Sequence, residues 1–301
     1  MTKFNNEVYE ALVNDLINDA FYLEGASRKG TIAKIRQYAE VIVRRILNIP
    51  KADIVTLGNK KIISRIEKKN NPILLNAIKT INKMGSKCTH TQFTQEITEE
   101  DVKTVIDSLF NLYAYLLIDY FEKYEFGTNL EVVHQFSILP PIIRHLTLEY
   151  LYSKYPENIM IIDKLSLALL KSLNKEAAIK WIEERKEKLK VTPSITKNAE
   201  KDIIEKYGEE VAKTIISTAP NMYDLCTERI NLVADDISKN GKLYNNFESA
   251  IDYYRESGTI SGESSDIKEF NSIMEFFGLM SIFWTQKVKL FYAALLANNS
   301  H

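Results

Sequence analysis

The residues best suited to chemistry in this 301-residue chain lie in its first third. His90 ends the segment Ile81-Asn82-Lys83-Met84-Gly85-Ser86-Lys87-Cys88-Thr89-His90. A histidine near neutral pKa can take a proton from a hydroxyl or return one to a leaving oxygen. Upstream, Ile35-Arg36-Gln37-Tyr38-Ala39-Glu40 places an arginine four residues before a glutamate. A guanidinium can hold a phosphate through paired hydrogen bonds and neutralise charge that develops on it. Each feature also has a plainer reading. Arg36 and Glu40 have the spacing of an i,i+4 pair on a helix surface, worth about 0.3–0.5 kcal/mol. His90 is equally suited to capping a helix end or bonding a backbone carbonyl.

Around these residues the sequence is basic. Between Arg28 and Lys69 it carries Arg36, Arg44, Arg45, Lys60 and Lys61 among other cations, opposed only by Glu40, Asp53 and Glu67. Such a run can follow a phosphate backbone with steeply salt-dependent affinity, or it can simply be a solvated face. Net charge over the whole chain is −1, so only a local patch could attract nucleic acid. The four histidines have no ligand-spaced partners, and Cys88 and Cys226 form no CxxC pattern. Neither a transition-metal site nor a cofactor is therefore expected. Arg144-His145 are neighbours on one helix and point about 100° apart, so His145 is expected to be a packing or surface residue. Glycine-rich phosphate loops, GxSxG and HExxH are absent from the sequence.

The elements that must position these side chains are helices. Apolar residues make up 45% of the chain and charged residues 26%, with 10 glycines and 7 prolines, which favours an all-α fold. Apolar periodicity predicts helices over about 5–23 and 31–47. Asn71-Pro72 opens another to about Lys83, followed by a polar loop or a frayed helix end over 85–94. Thr98 and Asp101 read as a capping box that opens a long aromatic helix to about Glu125. Four helices joined in this way fit an antiparallel bundle. Gly127-Thr128-Asn129 reads as a boundary, giving domains at 1–127 and 128–301 with a possible sub-boundary near 190–198. The second part should hold helices near 140–152, 158–173, 175–189, 198–218, 221–239, 245–256 and 266–297. The stripe Phe270, Met274, Phe277, Ile282, Trp284 has the spacing of a core or subunit interface. No apolar run is long enough to span a membrane and the polar start lacks a signal-peptide core, so a cytoplasmic setting is expected.

Residues 5–125 resemble a HEPN-type helical domain, in particular the branch associated with abortive infection. The resemblance rests on the His90 segment, in which a helix ends shortly before a histidine and a long helix follows, and on Arg36 and Glu40 in the second helix. It implies metal-independent endoribonuclease activity in prokaryotic antiviral defence or toxin-like growth arrest, at a site often shared across a homodimer. Catalytic members carry Arg-x(4–6)-His. His90 matches the histidine, whereas neither Gly85 nor Lys83, at the limits of that spacing, nor the neighbouring Asn82 is arginine. The expected catalytic group is thus His90, Arg36 and Glu40, with Lys83, Lys87, Arg44, Arg45, Lys60 and Lys61 binding RNA. Loss of the motif arginine also suits a different class of protein, a non-catalytic HEPN-like module for dimerisation or for binding a protein partner. Residues 130–301 resemble no family.

Overall fold

A computed structural model describes residues 4–21, 23–241, 256 and 258–279. Among them lie a 3-10 turn at Glu7–Tyr9 and fourteen α-helices, with no β-strand, so the fold is all-α. The chain forms two compact units, one from residues 1–143 with 244–301 and the other from Arg144–Leu243. Gly127, where a boundary was expected, lies within the first of these units. The short helix α6 (Leu130–Phe136) and the described residues after 244 belong to the first unit. Apolar side chains hold these segments there, because Val132, Val133, Phe136 and Phe270 are all buried.

In the first unit, α1 (Glu10–Phe21) packs on α2 (Arg28–Ile46). Helix α2 also packs on α4 (Pro72–Thr89) and α5 (Glu99–Lys123), and α3 (Lys60–Glu67) touches α4. Helix α14 (Ser265–Leu279) joins α5 and α1 from far along the chain. Helix α5 buries Leu109, Tyr113, Leu117 and Ile118. Aromatic contacts tie it to both sides: Tyr113 lies 6.2 Å from Tyr38 of α2 and 5.8 Å from Phe277 of α14. Such pairs add about 0.5–1.5 kcal/mol beyond their burial. Phe270, Met274 and Phe277 of the expected stripe are core residues.

Local signals set the helix starts. The Ser27 hydroxyl accepts from Gly30 N–H, and the Asn71 side chain accepts from Leu74 N–H with Pro72 at the first helical position. The capping box at Thr98 and Asp101 is complete in both directions. The main difference from the sequence reading is α4, which continues through Gly85 to Thr89 instead of fraying near Lys83.

In the second unit, helix α7 (Pro141–Lys154), which begins in the first unit, leads into α8 (Ile159–Ser172). Helix α13 (Met222–Asn240) packs on α8 and α9 (Lys175–Glu183), and α10 (Lys186–Val191) lies beside α13. The buried Asp163 accepts from Arg229 at 2.6 Å. The single helix expected over 175–189 is split into α9 and α10. The 198–218 region is likewise split into α11 (Lys197–Tyr207) and α12 (Glu209–Thr218). Gly208, at φ +78°, makes that second break in a left-handed conformation suited to glycine. Nearly all of the expected helix over 245–256, the final helix beyond 279, and residues Ile282 and Trp284 lie outside the described residues. No described helix is long and apolar enough to cross a membrane.

Candidate functional site

The seam between α2 and α4 brings Arg36 to the end of the helix that carries His90. Gly85 makes this possible. A Cβ at Gly85 would sit 2.7 Å from the Arg36 Cβ, 2.9 Å from its Cγ and closer still to its Cδ. The arginine stem therefore lies directly on the glycine backbone, an approach that only a missing side chain permits. From there Arg36 Nη1 donates to Thr89 Oγ1 at 3.4 Å. The Thr89 hydroxyl is oriented by its own donation to the Gly85 and Ser86 carbonyls, at 3.1 and 3.2 Å. Arg36 Nε is buried and has no partner among the described residues.

His90 is the residue after Thr89. It caps α4 with an extended backbone, and its N–H donates to the Ser86 carbonyl at 3.2 Å. Its side chain is exposed and makes no hydrogen bond or ion pair with a described residue. The backbone of His90 is thus the helix cap, while the imidazole is left to face solvent. The chain beyond it is tethered to the start of α2. Arg28 donates to Glu96, the Ile97 carbonyl and Glu99 at 3.0, 3.2 and 2.7 Å. Lys29 Nζ donates to the Phe93 carbonyl at 2.9 Å, and the ammonium groups of Lys29 and Lys87 both lie over the Phe93 ring.

Glu40, one helical turn beyond Arg36, turns to the loop before α3 and accepts from Leu57 N–H at 3.4 Å. It forms no ion pair with Arg36, so the simple surface pair is not what this spacing produces. Burial pushes its carboxyl above the ordinary glutamate range, against the pull of the Leu57 N–H and the charges of Arg36 and Arg44. On the facing helix, the Asn82 amide lies beside Gly58, and its Oδ1 is buried without a partner. Buried polar atoms normally find partners, and both Asn82 and Arg36 keep one such atom unbonded.

The remaining cations divide into engaged and free. Arg44 donates to the Pro50 carbonyl at 3.1 Å and lies over Tyr9. Arg45 donates to Asn6 and Ser272 at 2.7 and 3.2 Å. Both arginines thus work inside the fold. Lys60 and Lys61 are exposed at the start of α3, and Lys83 is exposed on α4. Thr89 is the participant that the sequence reading missed. Its signal was spacing, since Thr89 stands four residues after Gly85 and so shares its helix face. In the second unit, His145 Nδ1 lies 3.3 Å from Ser172 Oγ, and burial lowers its pKa, the behaviour of a packing histidine. Among the described residues no three His, Cys, Asp or Glu side chains are grouped as metal ligands.

This arrangement offers a guanidinium, an oriented hydroxyl and a solvent-facing imidazole at one helix end, chemistry suited to an anion with an adjacent proton transfer. Compared with protein-family models, curated proteins and solved structures, the chain finds no match.

Proposed function

We propose that the first unit is a HEPN-like module that binds RNA at the α2–α4 seam and cleaves it without a metal ion. Arg36, delivered by α2, takes the role of the absent motif arginine. One observation carries this reading: the Arg36 stem lies on Gly85 and its guanidinium reaches Thr89, the residue before His90. Glycine stands in the arginine's place within the motif, and it is this glycine that admits an arginine from the neighbouring helix.

In the proposed reaction the RNA 2′-oxygen bonds to phosphorus and the bond from phosphorus to the 5′-oxygen breaks. The 2′-hydroxyl proton leaves to a base, and the departing oxygen takes a proton. His90 performs one of these transfers, and Arg36 neutralises charge on the non-bridging oxygens. A second copy of the chain supplies the other histidine. Lys60, Lys61 and Lys83 hold flanking phosphates. The role in antiviral defence or growth arrest follows from the family resemblance.

The interaction-module reading is favoured by one fact: Arg28, Lys29, Arg44 and Arg45 are bonded within the fold, which thins the basic run. Incubating the full chain and His90→Ala with total RNA in EDTA separates the two. Cleavage by the unmodified protein alone supports the nuclease. No cleavage by either, with no salt-sensitive RNA binding, leaves the interaction module.

A further inference from the structure

We propose that a cleft between the C-terminal end of α2, α3, α5 and α14 is a second binding site, for a small oligophosphate. The cleft encloses about 900 Å3 and is walled by Arg45, Arg65, Lys68, Lys69 and Lys123, against only Asp119 and Glu269. Three positive charges therefore stand in excess in a concave space of ligand size. A single solvated lysine face would not draw residues from four helices into one hollow.

The internal pairing shows where the excess lies. Lys69 and Lys123 share Asp119 at 3.1 and 3.0 Å, and Lys123 also reaches Glu269 at 2.6 Å. The two carboxylates are thus already matched. Arg65 donates to the Leu47 carbonyl at 2.6 Å, a bond that fixes its position without neutralising it. Lys68 is exposed and has no ion pair with a described residue.

Arg45 is half-buried, whereas the other four cations are exposed. Its Nη1 donates to Asn6 Oδ1, its Nη2 donates to Ser272 Oγ, and its guanidinium lies 4.9 Å from the Phe276 ring centre. All of these partners are neutral, and no carboxylate of a described residue is within ion-pair distance. Burial, opposed by the more distant Glu269 and Glu275, lowers its pKa to about 10. A charge withdrawn from water normally acquires a counter-charge, because the unpaired state is costly. Here the fold holds the cation at a cleft wall, and among the described residues the nearest carboxylates stay beyond ion-pair distance. A multiply charged anion would complete the set.

Neither Arg36 nor His90 lines the cleft, and Arg45 is nine residues beyond Arg36 on α2, roughly 13 Å at 1.5 Å per residue. The site is therefore independent of the RNA reading. Inorganic oligophosphate and the phosphate tail of a nucleotide present the same chemistry.

Calorimetric titration of the full chain with tripolyphosphate, ATP, adenosine and a short single-stranded RNA, at physiological salt, tests the assignment. Saturable binding of tripolyphosphate and ATP, but not adenosine, is expected. Equal affinity for the two would point to the inorganic anion, and tighter ATP binding to the nucleotide. Lys68→Glu, a change at an exposed position, should weaken binding about tenfold, as expected for reversing one charge at close range. Arg45→Gln should do the same with the circular dichroism spectrum retained. If neither oligophosphate binds saturably, if only RNA binds, or if Lys68→Glu leaves oligophosphate affinity unchanged, the proposal is wrong.

Discussion

Replacing Gly85 with alanine should destabilise the first unit, although alanine is the better helix former. In an unobstructed helix interior the substitution would add about 1 kcal/mol of stability. At this position the new methyl would stand 2.7 Å from the Arg36 Cβ and 2.9 Å from its Cγ. Carbon atoms in contact prefer about 3.5–4.0 Å, so the helices must part by roughly 1 Å. The Cδ can swing away, but the Cβ is fixed to the α2 backbone. Overpacking of this kind costs about 1–3 kcal/mol. The net expectation is a loss of up to roughly 2 kcal/mol, or a fall in Tm of up to about 8 °C for a unit of this size. Urea and thermal unfolding followed by circular dichroism measure it. Removing Cγ and Cδ with Arg36→Ala in the same chain should recover part of the loss, a coupling of about 1 kcal/mol in a double-mutant cycle. If Gly85→Ala instead raises stability by about 1 kcal/mol, and the two changes simply add, Arg36 does not lie on Gly85.

Other consequences follow from the same seam and the helix starts. The folded protein holds the Glu40 proton more tightly than the unfolded chain does, because the folded pKa is raised. That group's favourable contribution is therefore present at low pH and lost as pH rises through the raised value. Glu40→Gln should stabilise the protein at pH 7, with the gain vanishing below the ordinary glutamate range in urea midpoints measured across pH. His90→Ala removes an exposed side chain without protein partners, so stability should change by less than about 0.5 kcal/mol. Arg28→Ala releases three tethers on residues 96–99, and hydrogen exchange there should accelerate. Thr98→Ala breaks the capping box of α5 and should cost about 1 kcal/mol in the same unfolding assays.

The all-α class, the caps at Asn71 and Thr98, and the core stripe on α14 were legible because they depend on residues close in sequence. The end of α4 was not. Gly85 reads locally as a helix breaker, and its real role depends on a side chain 49 positions upstream lying against it. The spacing of Arg36 and Glu40 suggested a pair, yet the loop at Leu57 takes the carboxylate away. Arg44 and Arg45 looked like free cations because their partners, Pro50, Asn6 and Ser272, are supplied by other segments. The division into units rests on contacts distant in sequence in the same way. A chain that leaves one unit and returns after about a hundred residues carries no local mark of the return.

The claim that Arg36 acts with His90 is tested most directly by comparing RNA cleavage in EDTA among the unmodified chain, Arg36→Ala, His90→Ala and the double variant. Residues that act as one unit show strongly non-additive losses. Joint action of the two residues predicts that each single change abolishes metal-free cleavage and that the double change is no worse. Cleavage by Arg36→Ala at the rate of the unmodified protein would contradict it.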